Sequence, residues 1–204
     1  EFHTTPVFYH QGLYLCLNQL LNRAEDGGVI NIELMLSRDG LNWNRPFRNT
    51  FFLARGDSGN FDSGSIFTNA TPVILEHEIR FYYGAYSSGA TGANNDEQKS
   101  GVGLPTLPKD RFACIAPLPK SDLPTQQEPL ENIGQITLKP TQINQYKQIT
   151  LNADATNGTL YTELLSESGQ RVPGYTKEDS VPIQGDAFDH TIAWKNHTLQ
   201  DLDD

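Results

Sequence analysis

Asp62 is the residue of this chain best placed by its neighbours to do chemistry. It stands in Gly59-Asn60-Phe61-Asp62-Ser63-Gly64-Ser65, a polar, glycine-punctuated string that leads into an expected strand. A carboxylate there is a candidate catalytic group, able to move a proton or to assist a second carboxylate. Ser63 beside it adds a hydroxyl, so the pair can hydrogen-bond the hydroxyls of a polyhydroxylated ligand. The competing role for Asp62 is structural, since a short carboxylate also organises a loop through an Asx turn. Tyr82, Tyr83 and Tyr86, in Phe81-Tyr82-Tyr83-Gly84-Ala85-Tyr86, offer aromatic faces on which the C–H face of a ring would stack. Core packing is the other role for some of these tyrosines.

The remaining polar residues group less well. Asp39, in Ser37-Arg38-Asp39-Gly40-Leu41-Asn42-Trp43, reads as a turn clamp: its carboxylate accepts backbone N–H bonds and Gly40 allows a positive φ. Glu33 stands mid-strand between Ile32 and Leu34 and is expected on a solvated face. His10 and His77 each occupy a predicted hairpin turn without other ligand-type residues at a recognisable spacing, so no metal site is read there. Asp179, Asp186 and Asp189 do not follow the spacing of an EF-hand loop and read as turn residues. No cofactor is implied.

These residues need strands to hold them, and an internal repeat supplies the expectation. Thr5-Pro6-Val7-Phe8 and Leu13-Tyr14-Leu15 line up with Thr71-Pro72-Val73-Ile74 and Ile79-Arg80-Phe81 at a constant offset of 66 residues. Each copy reads as a hairpin, turning at His10-Gln11-Gly12 and at Glu76-His77-Glu78. Further along, Ile32-Glu33-Leu34 is similar to Val102-Gly103-Leu104. Bulky residues recur with period two in Leu13 to Leu17 and Ile79 to Tyr83, the pattern of a strand. Each repeat thus supplies about four strands, the scale of a propeller blade. Between the first copy's strands, Leu17, Leu20 and Leu21 leave a helical turn open before Gly27-Gly28 ends it.

Ser87 to Ser100 is rich in Gly, Ser and Asn and reads as a long loop. Pro117 to Glu131, with four prolines, reads as the centre of a linker. Beyond it Ile136–Leu138, Ile149–Ala153, Leu160–Leu165 and His190–Trp194 read as strands, with Ser166-Glu167-Ser168-Gly169 turning a hairpin into Val172–Tyr175. The fold class expected is all-β: two four-stranded propeller-type blades over 1–118, a linker over 119–133, and a small β-sandwich over 134–204 that lacks a closing strand.

Bulk properties narrow the partners. The 204 residues carry 25 acidic and 15 basic side chains, a formal charge of −10, with no Lys/Arg block. That argues against nucleic acid as a partner. No apolar run approaches the roughly 18 residues of a membrane span. Cys16 and Cys114 lie in apolar, strand-like runs, the usual setting of a buried free thiol; a disulfide is the other reading. Sequons at Asn69, Asn157 and Asn196 point weakly to secretion.

The string Ile32-Glu33-Leu34, Ser37-Arg38-Asp39-Gly40, Trp43, Arg45-Pro46, then Phe61-Asp62-Ser63-Gly64 and Phe81-Tyr82-Tyr83-Gly84, resembles bacterial proteins related to the invertase and arabinanase glycosidases. Ser37 to Trp43 is similar to the Asp-box turn of such propellers. Gly174-Tyr175, Glu178-Asp179-Ser180, Ile183, Gly185-Asp186 and Trp194 are similar to the sandwich that follows several of them. The resemblance implies a five-bladed propeller of which this chain holds the last two blades, and a carbohydrate partner. It implies catalytic carboxylates on inner strands, where this chain has Thr5-Pro6 and Thr71-Pro72. Glycoside hydrolysis requires a pair of carboxylates, and Asp62 is the one candidate here. The expected function is that of a glycosidase-like fragment that acts on or binds a carbohydrate without catalysing on its own. The alternative is a non-catalytic carbohydrate-binding or surface-interaction protein.

Overall fold

Eleven strands and one 3-10 turn make up the regular structure of the computed structural model, which describes residues 1–25, 27–90, 98–116 and 134–202. The chain divides into two units, Glu1–Arg111 and Phe112–Asp204. The expected linker over 119–133 lies outside the described residues.

In the first unit β1 (Val7–His10) and β2 (Leu13–Asn22) form the first expected hairpin, with Tyr9 opposite Tyr14 and His10 opposite Leu13. The two-residue turn needs positive φ at both centres, and Gln11 and Gly12 adopt 49° and 78°. β2 then runs on to Asn22 in unbroken antiparallel register with β3 (Val29–Ser37). The helical turn left open at Leu17 to Leu21 is therefore absent: nine paired positions outweigh a local spacing of leucines. Gly27 and Gly28, at φ 75° and 69°, complete the turn between these strands.

β4 (Ser65–Thr68) joins β3 in parallel at Ile30 and Ser65, and β7 (Tyr83–Tyr86) and β8 (Ser100–Gly103) extend the same sheet. Its order is β1-β2-β3-β4-β7-β8. The second copy's hairpin, β5 (Val73–Ile74) and β6 (Glu78–Arg80), forms where the repeat placed it, with Ile74 opposite Ile79. Together with β9 (Thr106–Pro108) it makes a separate three-stranded sheet. The all-β class stands. Among the described residues, however, the hydrogen bonds draw sheets of six and three strands and no closed sheet.

The core of this unit is built from Leu15, Leu17, Ile30, Ile32, Leu34, Ile66, Ile79, Phe81 and Ala85, all buried. Phe81 meets Phe52 edge-on at 5.5 Å between ring centroids. β3 is buried on both faces, and this overturns the expected exposure of Glu33, which is only 1% accessible. A charge tolerates that position because Arg45 donates from Nε to both carboxylate oxygens, at 3.1 and 2.9 Å, and Asn18 Nδ2 adds a third bond at 3.1 Å.

In the second unit β10 (Thr150–Leu160) pairs antiparallel with β11 (Ile183–Thr191), with register shifts after Leu151 and Ala155. Tyr175, Trp194 and Leu199 form the buried centre, packed by Ile143, Ile149, Leu164, Val172 and Ile192. The hairpin at Ser166–Gln170 is present, with Leu165 bridged to Arg171. Ile136 and Leu138 are exposed and belong to no strand, so the first strand expected of a sandwich is absent. The expected strand over Leu160–Leu165 is not continuous, because the chain leaves β10 at Leu160 to enter that hairpin. Two Thr-x-x-Asp boxes brace the chain: Asp179 accepts from the N–H and hydroxyl of Thr176, and Asp201 from those of Thr198.

Cys16 is buried and Cys114 exposed, and neither is in a disulfide. The expected burial of both thiols therefore holds for Cys16 alone.

Candidate functional site

The segment between β3 and β4, residues 38–64, carries Asp62 and Ser63. It opens on the predicted clamp: Asp39 Oδ1 accepts from the backbone N–H groups of Leu41 and Asn42 at 2.9 and 2.7 Å. Asn42 Nδ2 donates to Oδ2 at 2.7 Å. These bonds hold the Asp39 carboxyl far below the usual carboxylate range. Trp43 donates its indole N–H to Gly40 O at 3.1 Å rather than entering a core.

β3 then pins the segment at successive points. Asn44 exchanges backbone bonds with Leu36, Arg45 reaches Glu33, Leu53 accepts from Ile32 N–H, and Arg55 N–H donates to Asn31 Oδ1 at 3.0 Å. The Arg55 guanidinium spans from Glu25 to the carbonyl of Ser63, at 2.9 Å each. This chain of contacts delivers Asp62 against Gly56, where any side chain would collide with its carboxylate.

Asp62 Oδ2 accepts a hydrogen bond from the Tyr83 hydroxyl at 2.7 Å. Phe61 stacks on the Tyr83 ring with 7° between planes and 6.4 Å between centroids. Gly101 and Gly103 make room for both rings on β8: a Cβ at Gly101 would stand 2.8 Å from Phe61, and one at Gly103 would collide with Tyr83. Burial pushes the Tyr83 hydroxyl up to about 12, and the Asp62 carboxylate contributes in the same direction. Asp62 therefore stands as a hydrogen-bonded carboxylate beside a neutral phenol.

Ser63 is less available than its sequence neighbourhood implied. Its hydroxyl faces the carbonyls of Asn60 and Ser87 at 3.0 and 3.3 Å, which compete for its single proton. Tyr82 and Tyr86 are 41% and 45% exposed. Strand alternation puts Tyr86 on the face of β7 opposite to Tyr83, and Tyr82 precedes the strand. Of the residues singled out in the sequence, Asp62 thus meets Tyr83 on one face of β7 while Tyr86 stands on the other. Gly64 N–H, bonded to Tyr86 O at 3.0 Å, links them through the backbone.

Phe67 went unnoticed in the sequence; its ring meets Tyr86 edge-on at 6.0 Å and His3 at 5.6 Å. Its place opposite Gly84 is a matter of register that spacing alone does not convey. Among the described residues no cluster of three or more His, Cys, Asp or Glu could hold a metal ion, and no helix is long and apolar enough to cross a membrane. No family model, curated protein or solved structure matches this chain.

Proposed function

We propose that this chain binds a carbohydrate through the exposed aromatic face of β7, as part of a glycosidase-like propeller protein. One observation carries the reading: Tyr86 is exposed on β7 with Phe67 packed edge-on against it, and Tyr82 is exposed just before the strand. Sugars present a C–H face that such rings stack on, and tyrosine adds a hydroxyl at the rim. The 66-residue repeat supports reading the two copies as neighbouring blades. The second unit is assigned the role of the sandwich that accompanies such propellers, and an extracellular setting goes with it.

Asp62 favours recognition over hydrolysis in the isolated chain. Its carboxylate is bonded to Tyr83, on the face of β7 opposite Tyr86, and among the described residues no second carboxylate is hydrogen-bonded to it. In a longer parent, Asp62 would orient a group supplied by another blade.

Affinity electrophoresis of the 204-residue chain in gels containing arabinan, xylan, β-glucan, mannan or fructan tests this reading. Retardation by at least one polymer, lost in Tyr86→Ala, is expected, together with no turnover of an arylglycoside panel. Free migration in every gel would sink the binding reading. Turnover abolished by Asp62→Ala would replace it with catalysis.

A further inference from the structure

Among the described residues of this unit, Gly84 is the glycine with no structural reason to be one. Its φ is not in the left-handed region, and a Cβ built there meets nothing within 4 Å. On the neighbouring strand Gly101 and Gly103 are each explained by an aromatic ring that needs their space. A glycine inside a strand weakens it, and such a residue often marks the close approach of a ligand.

The surroundings of Gly84 have the form of a shallow cup. Phe67 on β4 and Val102 on β8 stand directly opposite it on either side. With strands about 4.8 Å apart, these two walls are separated by about 10 Å. Tyr86, two residues after Gly84 on the same face of β7, forms one end. Gly84 itself is exposed, and Val102 is 73% exposed, so the cup faces solvent. None of the four residues is charged, in a chain of formal charge −10. At the Tyr86 end the backbone is continuous with the Asp62–Ser63 segment through Gly64.

We propose that Gly84 is the floor of a subsite for one neutral sugar ring, laid along β7 against Tyr86. This rests on the carbohydrate-binding reading above and adds its place and its charge preference. The missing side chain lets the ring descend to the backbone, where Phe67 and Val102 flank it and Tyr86 offers an aromatic contact to its C–H groups. An uncharged lining in a chain of formal charge −10 selects against acidic sugars.

The test uses Gly84→Thr in the full chain, with Gly84→Ala as a smaller plug. Neutral pentasaccharides of the retarding polymer are titrated by calorimetry, with polygalacturonate oligomers as the charged comparison. Gly84→Thr is expected to weaken binding at least tenfold, with Gly84→Ala intermediate. Tm should be unchanged or raised by a few degrees, since threonine suits a strand better than glycine. Binding weakened less than threefold in Gly84→Thr while Tyr86→Ala abolishes it would overturn the subsite and leave the binding reading intact. A lower Tm in both variants would show that the fold needs the glycine, which also overturns the proposal. Equal affinity for polygalacturonate would remove the preference for a neutral ring. Absence of binding by the unaltered chain to every oligomer would remove the binding reading and the subsite together.

Discussion

The Tyr83 hydroxyl donates to Asp62 Oδ2 across 2.7 Å, tying the segment before β4 to the strand that pairs with it. A phenol in this position is harder to ionise, because burial and the neighbouring carboxylate both penalise the phenolate. Its ordinary value is 10.0 and here it rises to about 12. The stabilisation this implies is intact below pH 10 and is lost as the pH climbs toward 12.

Asp62→Asn should therefore lower the Tyr83 midpoint without returning it to the ordinary value, since burial is the larger cause. Tyrosine ring-carbon NMR, with Tyr83 assigned by Tyr83→Phe, reads the shift. An unchanged midpoint would mean that the hydrogen bond does not form in solution.

The Asp39 clamp makes an acid-side prediction. Its carboxyl is held below the ordinary 3.8 by bonds from Asn42, Leu41 and Ser37. A depressed acid stabilises the fold above its unfolded value and loses that contribution as pH falls through the folded one. Asp39→Ala should lower Tm at pH 7, and the gap to the unaltered chain should narrow below about pH 4. A gap that stays constant down to pH 2 would contradict the assignment.

Glu33 and Arg45 form a pair whose members are not separately dispensable. Arg45→Met leaves a buried carboxylate with only Asn18 as partner and should cost about 3 kcal/mol. Glu33→Met combined with Arg45→Met should recover most of that loss, because the charge and its partner leave together. Urea unfolding of the unaltered chain, Glu33→Met, Arg45→Met and the double variant measures the coupling, and additive losses would argue against it.

The two thiols should behave differently toward an alkylating reagent. Burial first, and the Glu33 carboxylate second, push the Cys16 thiol up to about 11. Cys114 is exposed. At pH 8 iodoacetamide should modify Cys114 and spare Cys16 in the folded protein, and both in urea. Peptide mass analysis after labelling decides, with rapid native labelling of Cys16 as the contrary result.

Much of the strand framework is legible in the residues. The hairpin at Gln11-Gly12 follows from two positions that need positive φ, and the second hairpin from its echo 66 residues on. The Asp39 turn is equally local, since every bond it makes lies within three residues. Glu33 is the counter-example. Period-two reasoning assigns it to the face opposite Ile32, and that is correct, but it cannot say that the second face is also covered. Arg45, twelve residues away, supplies the cover and the charge.

The candidate site divides along the same line. Asp62, Ser63, Tyr82 and Tyr86 were singled out by type and by their place near an expected strand. The separation of Asp62 from Tyr86 follows from the phase of β7, which puts Tyr83, the partner of Asp62, on one face and Tyr86 on the other. Gly84 shows the same dependence, because a glycine in a sequence gives no sign of whether a neighbour needs its space. Turns and hairpins are short-range, so the sequence by itself determined an all-β chain, its repeat and the Asp39 clamp. Which carboxylate is paired, which aromatic faces water and which glycine lies open depend on strands brought together from distant positions. Only the tertiary structure decided these, because burial and partnership belong to the packed sheet and not to any one segment of it.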